Sequence, residues 1–383
     1  MPRGGRSARV TPPRRSAETT NGIIVSVAEP TGVTFVIPVH NGAPWLDRVL
    51  RAAAAQADGR PFEIIAVEDG STDESPSILA AFESCGVLRI VKGPRRGATA
   101  ALNAGIREAR NPIVCQVDQD VIVEPGWMAV LVATLDDAMV AAAQGYYLTP
   151  PNASVWARVM GLDLEQRYKG ILDRPVDHVC TGNTAYRVAA LHTVGLFDET
   201  LGYGYDNDIS YRLVQAGYRL VIDSRARSVH CWRDNWRAYL VQQYGFGYGR
   251  LDLVAKHRHR ATGDDVSRLG MMLHAPMMAM AMFMFLLAAM RATAGASAAT
   301  PFVIGATGLA ILVVERFVAG VRAAIAFRNP AGLSYVPVHL MRDLAWAAAL
   351  VVWLLRRLRG ISARPSSSMR PRTATRPVPD RRP

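Results

Sequence analysis

Two apolar runs limit how this chain can fold. Residues 270–290, GMMLHAPMMAMAMFMFLLAAM, and 298–314, AATPFVIGATGLAILVV, contain no Asp, Glu, Lys or Arg. Each has about the 17–25 apolar residues that crossing the hydrocarbon core of a bilayer requires. In that medium the backbone must satisfy its own hydrogen bonds, so both runs are expected to be transmembrane helices. A third run, LAWAAALVVWLL (344–355), is 12 residues long and follows His339, Arg342 and Asp343, which suits a short third span or an interfacial helix. The Met residues of the first run show no pairing with Cys or His and read as adaptable apolar packing.

Charge orients these runs. Lys256, Arg258, Arg260 and Arg268 precede the first, only Arg291 lies between the two, and Arg316, Arg322, Arg328, Arg356, Arg357 and Arg359 follow the second. Excess Lys and Arg marks cytoplasmic segments, so a hairpin with both ends inside is expected. The net charge of +12 has the same bearing. Residues 1–15 carry five Arg and no acid, and residues 361–383 carry six Arg against Asp380, so the body between is nearly neutral. Basic disordered tails at 1–31 and 361–383 suit an anionic membrane surface, and nucleic-acid binding by a basic folded face is not expected. Cys85, Cys115, Cys180 and Cys231 show no zinc spacing and read as reduced thiols of a cytosolic domain. No apolar segment near the N-terminus is long enough for a signal peptide.

Ahead of the membrane region, short apolar runs alternate with helical patterns. VTFVIPV (33–39), FEIIAVED (62–69) and LRIVKG (88–93) read as strands; APWLDRVLRAAAAQ (43–56), SPSILAAFESCG (75–86) and GATAALNAGIREA (97–109) read as helices. This alternation predicts an α/β domain with a mostly parallel sheet, whose ligands sit beyond the carboxyl ends of the strands. The polar residues gather there: Pro38-Val39-His40-Asn41, Glu68-Asp69-Gly70-Ser71 and Asp118-Gln119-Asp120. Residues two apart on a strand share a face, so Asp118 and Asp120 are expected to converge on one object, most simply a hard divalent cation with substrate phosphates. Ser71 or Asp73 is expected to cap the following helix.

These motifs, in this order, resemble inverting glycosyltransferases of family 2. The matching segments are VIPVHNG, VEDGSTDES, RRGATAALNAGI, VDQD with EPGWM, TGNTAYRVAALHTVGLFDE, GYDNDISYRLVQAGYRL and the closing SVH, spanning about residues 32–232. QYGFGYGRL (243–251) is similar to the segment leading into the membrane in polysaccharide-building members. Gly42, Glu68 and Tyr205 depart from the family pattern at positions where acidic residues, Asp at the second, are usual.

The resemblance implies a Rossmann-like, mostly parallel GT-A catalytic domain over 32–260, followed by the membrane hairpin. It implies transfer from a nucleoside-diphosphate sugar to a lipid-linked or polysaccharide acceptor at the cytoplasmic face of the cell membrane, with Mg²⁺ or Mn²⁺ as cofactor. Pro38, His40, Glu68, Asp69, Arg96, Asp118 and Gln119 would bind the donor. Asp120 and His230 would hold the metal, Thr181, Gly182 and Asn183 would line the acceptor side, and Asp206 would be the catalytic base. The residues agree in part: NDISYRLVQAG reads as a helix stopped by Gly217, which puts Asp206 at its N-terminus, with Asp208 the expected cap. A nucleotidyltransferase would show a Gly-rich basic loop near the first strand, which VIPVHNGAPW lacks, and a non-catalytic scaffold would need none of Asp118, Asp120, Asp206 and His230.

Overall fold

The computed structural model describes residues 31–360; apart from Thr31, the expected basic tails lie outside them. β1 (Val33–Val39), α1 (Ala43–Ala54), β2 (Phe62–Glu68), α2 (Ser75–Ser84), β3 (Arg89–Lys92), α3 (Ala98–Glu108) and β4 (Ile113–Val117) alternate as their periodicity predicts. β1 lies between β2 and β4, and β3 pairs with β2, all in parallel. Helices cover both faces, so the strands read as unbroken apolar runs, with Phe35, Val36, Ile37, Ile64 and Ile65 all buried. Leu46, Val49, Leu50 and Ala53 form the buried stripe of α1 at helical spacing.

Beyond β4 the chain adds β5 (Val121–Val123), α4 (Trp127–Thr134), β6 (Val140–Leu148), α5 (Val155–Tyr168), β7 (Pro175–Val176), β8 (Asn183–Arg187), α6 (Val188–Thr193), α7 (Tyr205–Gln215) and β9 (Arg219–His230). The strand order is β3-β2-β1-β4-β8-β6-β9-β5, with β7 pairing β9. β8 is antiparallel to both its neighbours, β9 is parallel to β6, and β5 and β7 run antiparallel to β9. The fold is thus a mixed α/β sheet whose first four strands are parallel. Gly217, at φ +90°, follows α7 and ends it as expected.

After α8 (Trp236–Lys256) come α9 (Leu269–Thr293), α10 (Ala299–Ala326) and α11 (Tyr335–Leu358). Among the described residues these last three are long and apolar enough to cross a membrane, by length and composition. α9 and α10 turn large apolar side chains outward, Phe283 and Val314 among them. Gly305 lets the two helices approach: a Cβ there would lie 3.0 Å from the Ala281 carbonyl oxygen. α11 is twice the length of the apolar run that marks it in the sequence, because its first turns carry the buried polar residues His339, Arg342 and Asp343. One face of α11 lies along α8. Trp346 packs on Gly247, Trp353 donates to Asp252 at 2.8 Å and Arg356 reaches the Tyr248 hydroxyl at 3.3 Å. The rest of the helix exposes Leu344, Val351, Leu355 and Leu358.

Candidate functional site

β1, β2 and β4 run in one direction, so their carboxyl ends share one edge of the sheet. A cavity of about 750 Å³ opens there. Pro38, His40, Asp69, Arg96, Asp118, Gln119, Asp120, Thr181, Asp206 and His230 all contribute to its wall, so the structure brings together most of the residues singled out from sequence.

Several of them already have work to do. The Asp69 carboxylate accepts the backbone N–H groups of Arg95 at 2.6 Å and Gly97 at 3.2 Å, tying the loop before α3 to the end of β2. His40 Nδ1 lies 3.0 Å from the Asp69 carbonyl oxygen. Gln119 clamps His40 with its amide, donating to the His40 carbonyl at 3.0 Å and accepting its N–H at 2.8 Å. That clamp gives a reason for glycine at position 42, since a Cβ there would come within 2.5 Å of Gln119 Oε1. Arg96 is exposed and pairs with Glu199 at 2.8 Å.

Three of the expected residues stand back from the cavity. Glu68 turns its carboxylate onto the N–H of Ser71 and closes the turn after β2. Asn183 is buried, accepting from Trp127 Nε1 at 2.6 Å and donating to the Gly145 carbonyl at 2.7 Å. Gly182 acts by its lack of a side chain: at φ +105° it passes so close that a Cβ would sit 2.4 Å from Asp118 Oδ2. The cap expected from Ser71 or Asp73 also takes another form. Asp73 accepts from Ser75 in the first turn of α2 at 3.0 Å and from Ala43 at the start of α1 at 3.1 Å, so it joins two helix starts.

Asp118 and Asp120 converge, but by a route other than strand alternation. β4 ends at Val117, and Asp118-Gln119-Asp120 form a tight turn closed by the Val121 N–H on the Asp118 carbonyl at 3.0 Å. The turn leads into β5, where Val121 pairs with His230 and the Cys231 N–H meets the Asp120 carbonyl at 2.9 Å. This ladder sets His230 Nε2 3.5 Å from Asp120 Oδ1; Arg233 stands 3.5 Å from the other oxygen. The imidazole is fixed by Trp232, with ring centroids 3.8 Å apart. Its enclosed setting, and then the neighbouring Asp120, push the Asp118 carboxyl up to about 6. Desolvation raises the Asp120 carboxyl as well, but His230 and Arg233 together more than reverse this and hold it below the ordinary range. Two adjacent carboxylates and an imidazole are a mostly oxygen donor set, which fits Mg²⁺ or Mn²⁺.

α7 brings Asp206 to the wall of the same cavity. Gly204, at φ +75°, is the N-cap, and no side chain caps this helix. Asp206 lies in the first turn, where it accepts the Asn207 backbone N–H at 2.9 Å and the helix dipole favours a carboxylate. Its Oδ2 is 3.7 Å from Nε2 of His178, an ion-pair distance. His178 and Cys180 escaped the sequence reading; the only hint is their alternation in DHVCTGN, just ahead of Thr181. Ligand atoms of His178, Cys180 and Asp206 lie within 4.8 Å of one another. Burial lowers the pKa of His178, but Asp206 and Cys180 more than reverse this and hold it well above the ordinary histidine value.

Asp208 is not the expected cap. It is completely buried and meets Arg212 at 2.8 Å, Lys256 at 2.6 Å and His257 at 2.7 Å. Asp208→Asn is therefore expected to cost roughly 3 kcal/mol, the low end for breaking a buried ion pair because Lys256 is partly hydrated. Denaturant titration would measure this; a loss nearer the ~1 kcal/mol of a missing helix cap would mean that the cluster contributes little.

An α/β sheet whose parallel strand ends carry a carboxylate turn has the architecture of GT-A transferases. Residues 34–195 match the family model "Glycosyl transferase family 2". It is 30% identical over 233 residues to the pre-mycofactocin glycosyltransferase of Mycobacterium tuberculosis, a match covering 59% of this chain and 48% of that protein. The chain thus spans about half the length of this relative. Succinoglycan biosynthesis protein ExoA of Rhizobium meliloti is 26% identical over 240 residues, covering 60% of this chain and 72% of ExoA. In fold the chain is similar to the mannosyltransferase PcManGT from Pyrobaculum calidifontis, solved in complex with GDP-Man and Mn²⁺. That likeness has a TM-score of 0.56 at 20% identity and covers 85% of this chain and 87% of the other.

Proposed function

We propose that this protein is an inverting glycosyltransferase that moves a sugar from a nucleoside-diphosphate sugar to a lipid-linked or polysaccharide acceptor at the cytoplasmic face of the cell membrane. One observation carries the reading: Asp118, Asp120 and His230 share a cavity with Asp206, which rises from a separate element. The nucleoside lies against Pro38, His40 and Asp69, with Gln119 holding the loop that frames it. Asp120 and His230, with Asp118 alongside, hold Mg²⁺ or Mn²⁺. When bound, the cation offsets the charge developing on the departing diphosphate.

Asp206 takes the proton of the acceptor hydroxyl as that oxygen attacks the anomeric carbon from the face opposite the diphosphate. The new glycosidic bond forms as the bond to the phosphate oxygen breaks, and the configuration inverts. Thr181 lines the acceptor side, with Gly182 and Asn183 setting its backbone. The test is nucleotide release from UDP-, GDP- and dTDP-sugars by detergent-purified protein, with Mg²⁺, Mn²⁺ or chelator. Release from none of them over the background of heated protein would end this reading.

For the membrane region we propose that α9 and α10 span and that α11, held along α8 by polar contacts, lies at the cytoplasmic interface. The protein is expected to stay in the membrane pellet after alkaline carbonate, and a reporter fused to the C-terminus is expected to score cytoplasmic. An external reporter would make α11 a third span.

A further inference from the structure

The segment between β7 and β8 brings His178 and Cys180 into the same cavity wall as Asp206. Both sides of this segment are pinned. The Cys180 N–H donates to Gln144 of β6 at 2.6 Å, and Ser210, one turn beyond Asp206 on α7, accepts the Val179 N–H at 3.2 Å. Tyr168 donates its hydroxyl to the Cys180 sulfur at 3.3 Å. Backbone and neighbouring side chains thus set where the three groups meet, as outer partners do for metal ligands.

His178 is the unexplained member of the three. It is 4% exposed, yet neither ring nitrogen makes a hydrogen bond. A buried imidazole left unbonded is costly, and a ligand on Nε2 removes that cost. Donor atoms of His178, Cys180 and Asp206 all lie within 4.8 Å of one another, and Nε2 stands 3.7 Å from Asp206 Oδ2. Bonds of about 2.0–2.3 Å to a tetrahedral zinc put neighbouring donors roughly 3.3–3.8 Å apart, so the imidazole and carboxylate already have this spacing and the thiol is within about 1.5 Å of it. An imidazole, a thiolate and a carboxylate, with the fourth position open to the cavity, form a zinc donor set. It is softer than the carboxylates of Asp118 and Asp120, which suit Mg²⁺ or Mn²⁺.

We propose that His178, Cys180 and Asp206 form a second metal site, selective for Zn²⁺, and that zinc bound there switches the transferase off by occupying its base. On binding, the imidazole and the thiol give up their protons to solvent, and Asp206 Oδ2 donates a lone pair to the metal. That lone pair is then withdrawn from the acceptor hydroxyl. The inhibition rests on the transferase reading above; the metal site itself does not.

The test titrates Co²⁺, a spectroscopic stand-in for zinc, into the reduced, metal-stripped full chain in detergent with Mg²⁺ at saturation. A thiolate-to-cobalt charge-transfer absorption is expected, and Zn²⁺ is expected to displace it. The absorption should persist in Asp120→Ala and in Cys231→Ala and vanish in Cys180→Ala. In turnover assays at saturating Mn²⁺, zinc is expected to inhibit wild type, and a zinc chelator to restore it. Cys180→Ala keeps the base, so it is expected to turn over like wild type without zinc. Its half-inhibition should need at least about 100-fold more zinc, since even an outer-shell change costs ~10–100-fold in metal affinity. Cys180 is only partly buried; if Cys180→Ala nevertheless melts abnormally, His178→Gln decides, with cobalt affinity expected to fall by the same factor. Absence of the absorption in wild type, its survival in Cys180→Ala, or unchanged zinc inhibition of that variant would each overturn the proposal, the last by moving the inhibitory zinc to the Asp120 turn. Failure of the transferase reading would show separately, as cobalt absorption without nucleotide release from any donor.

Discussion

Asp206→Asn is expected to lower turnover by about 10²–10⁴-fold, the usual contribution of a positioned acid or base, with nucleotide affinity unchanged. The amide keeps the size of the carboxylate and can still accept the Asn207 N–H, now at 2.9 Å. What it loses is the capacity to take a proton, and with it the charge opposite His178. Asparagine keeps the bond to the Asn207 N–H and the side chain is 27% exposed, so the fold loses only the pairing with His178. Turnover, nucleotide affinity and thermal melts of Asp206→Asn and Asp208→Asn at one pH separate the two roles. Asp206→Asn is expected to melt like wild type and turn over slowly; Asp208→Asn is expected to melt early, with its remaining folded fraction active. Near-normal turnover in Asp206→Asn would remove it from the chemistry.

The contrast between these two aspartates shows where sequence reading succeeds and where it stops. Strands β1 to β3 and helices α1 to α3 are local events, fixed by runs of buried apolar residues and by stripes at helical spacing, and each falls within a few residues of its expected limits. Asp118 and Asp120 were expected together from strand alternation, whereas Asp206 joins them only through the family resemblance, which carries long-range information that periodicity lacks. Asp208 was not legible. Its partners Lys256 and His257 are nearly fifty residues away at the end of α8, and no local pattern announces that α8 folds back onto α7. His178 was missed for a similar reason, because its importance comes only from its loop facing a residue at the start of α7. Apolar length also misjudged α11, whose polar first turns find partners in α5 and α10 and so persist as helix.

Asp120→Ala is expected to reduce turnover by roughly 10³-fold or more, the several kcal/mol that a cation supplies to a departing diphosphate, and chelator is expected to do the same to wild type. Asp120 stands between His230 and Arg233, with its backbone carbonyl bound to Cys231, so truncating the side chain leaves the β5–β9 ladder intact. A folded but inactive protein should result. A second readout needs no donor sugar. Mn²⁺ at a hundredfold excess over its dissociation constant stabilises a binding-competent fold by about 2.7 kcal/mol, visible as a raised melting temperature. Wild type and Asp206→Asn are expected to show that rise, and Asp120→Ala is expected to lose it, because Asp118 and His230 alone leave the cation with one carboxylate. Full turnover in chelator, or a Mn²⁺-dependent rise that survives in Asp120→Ala, would move the metal away from this turn and leave Arg233 and Arg96 as the cations nearest the diphosphate.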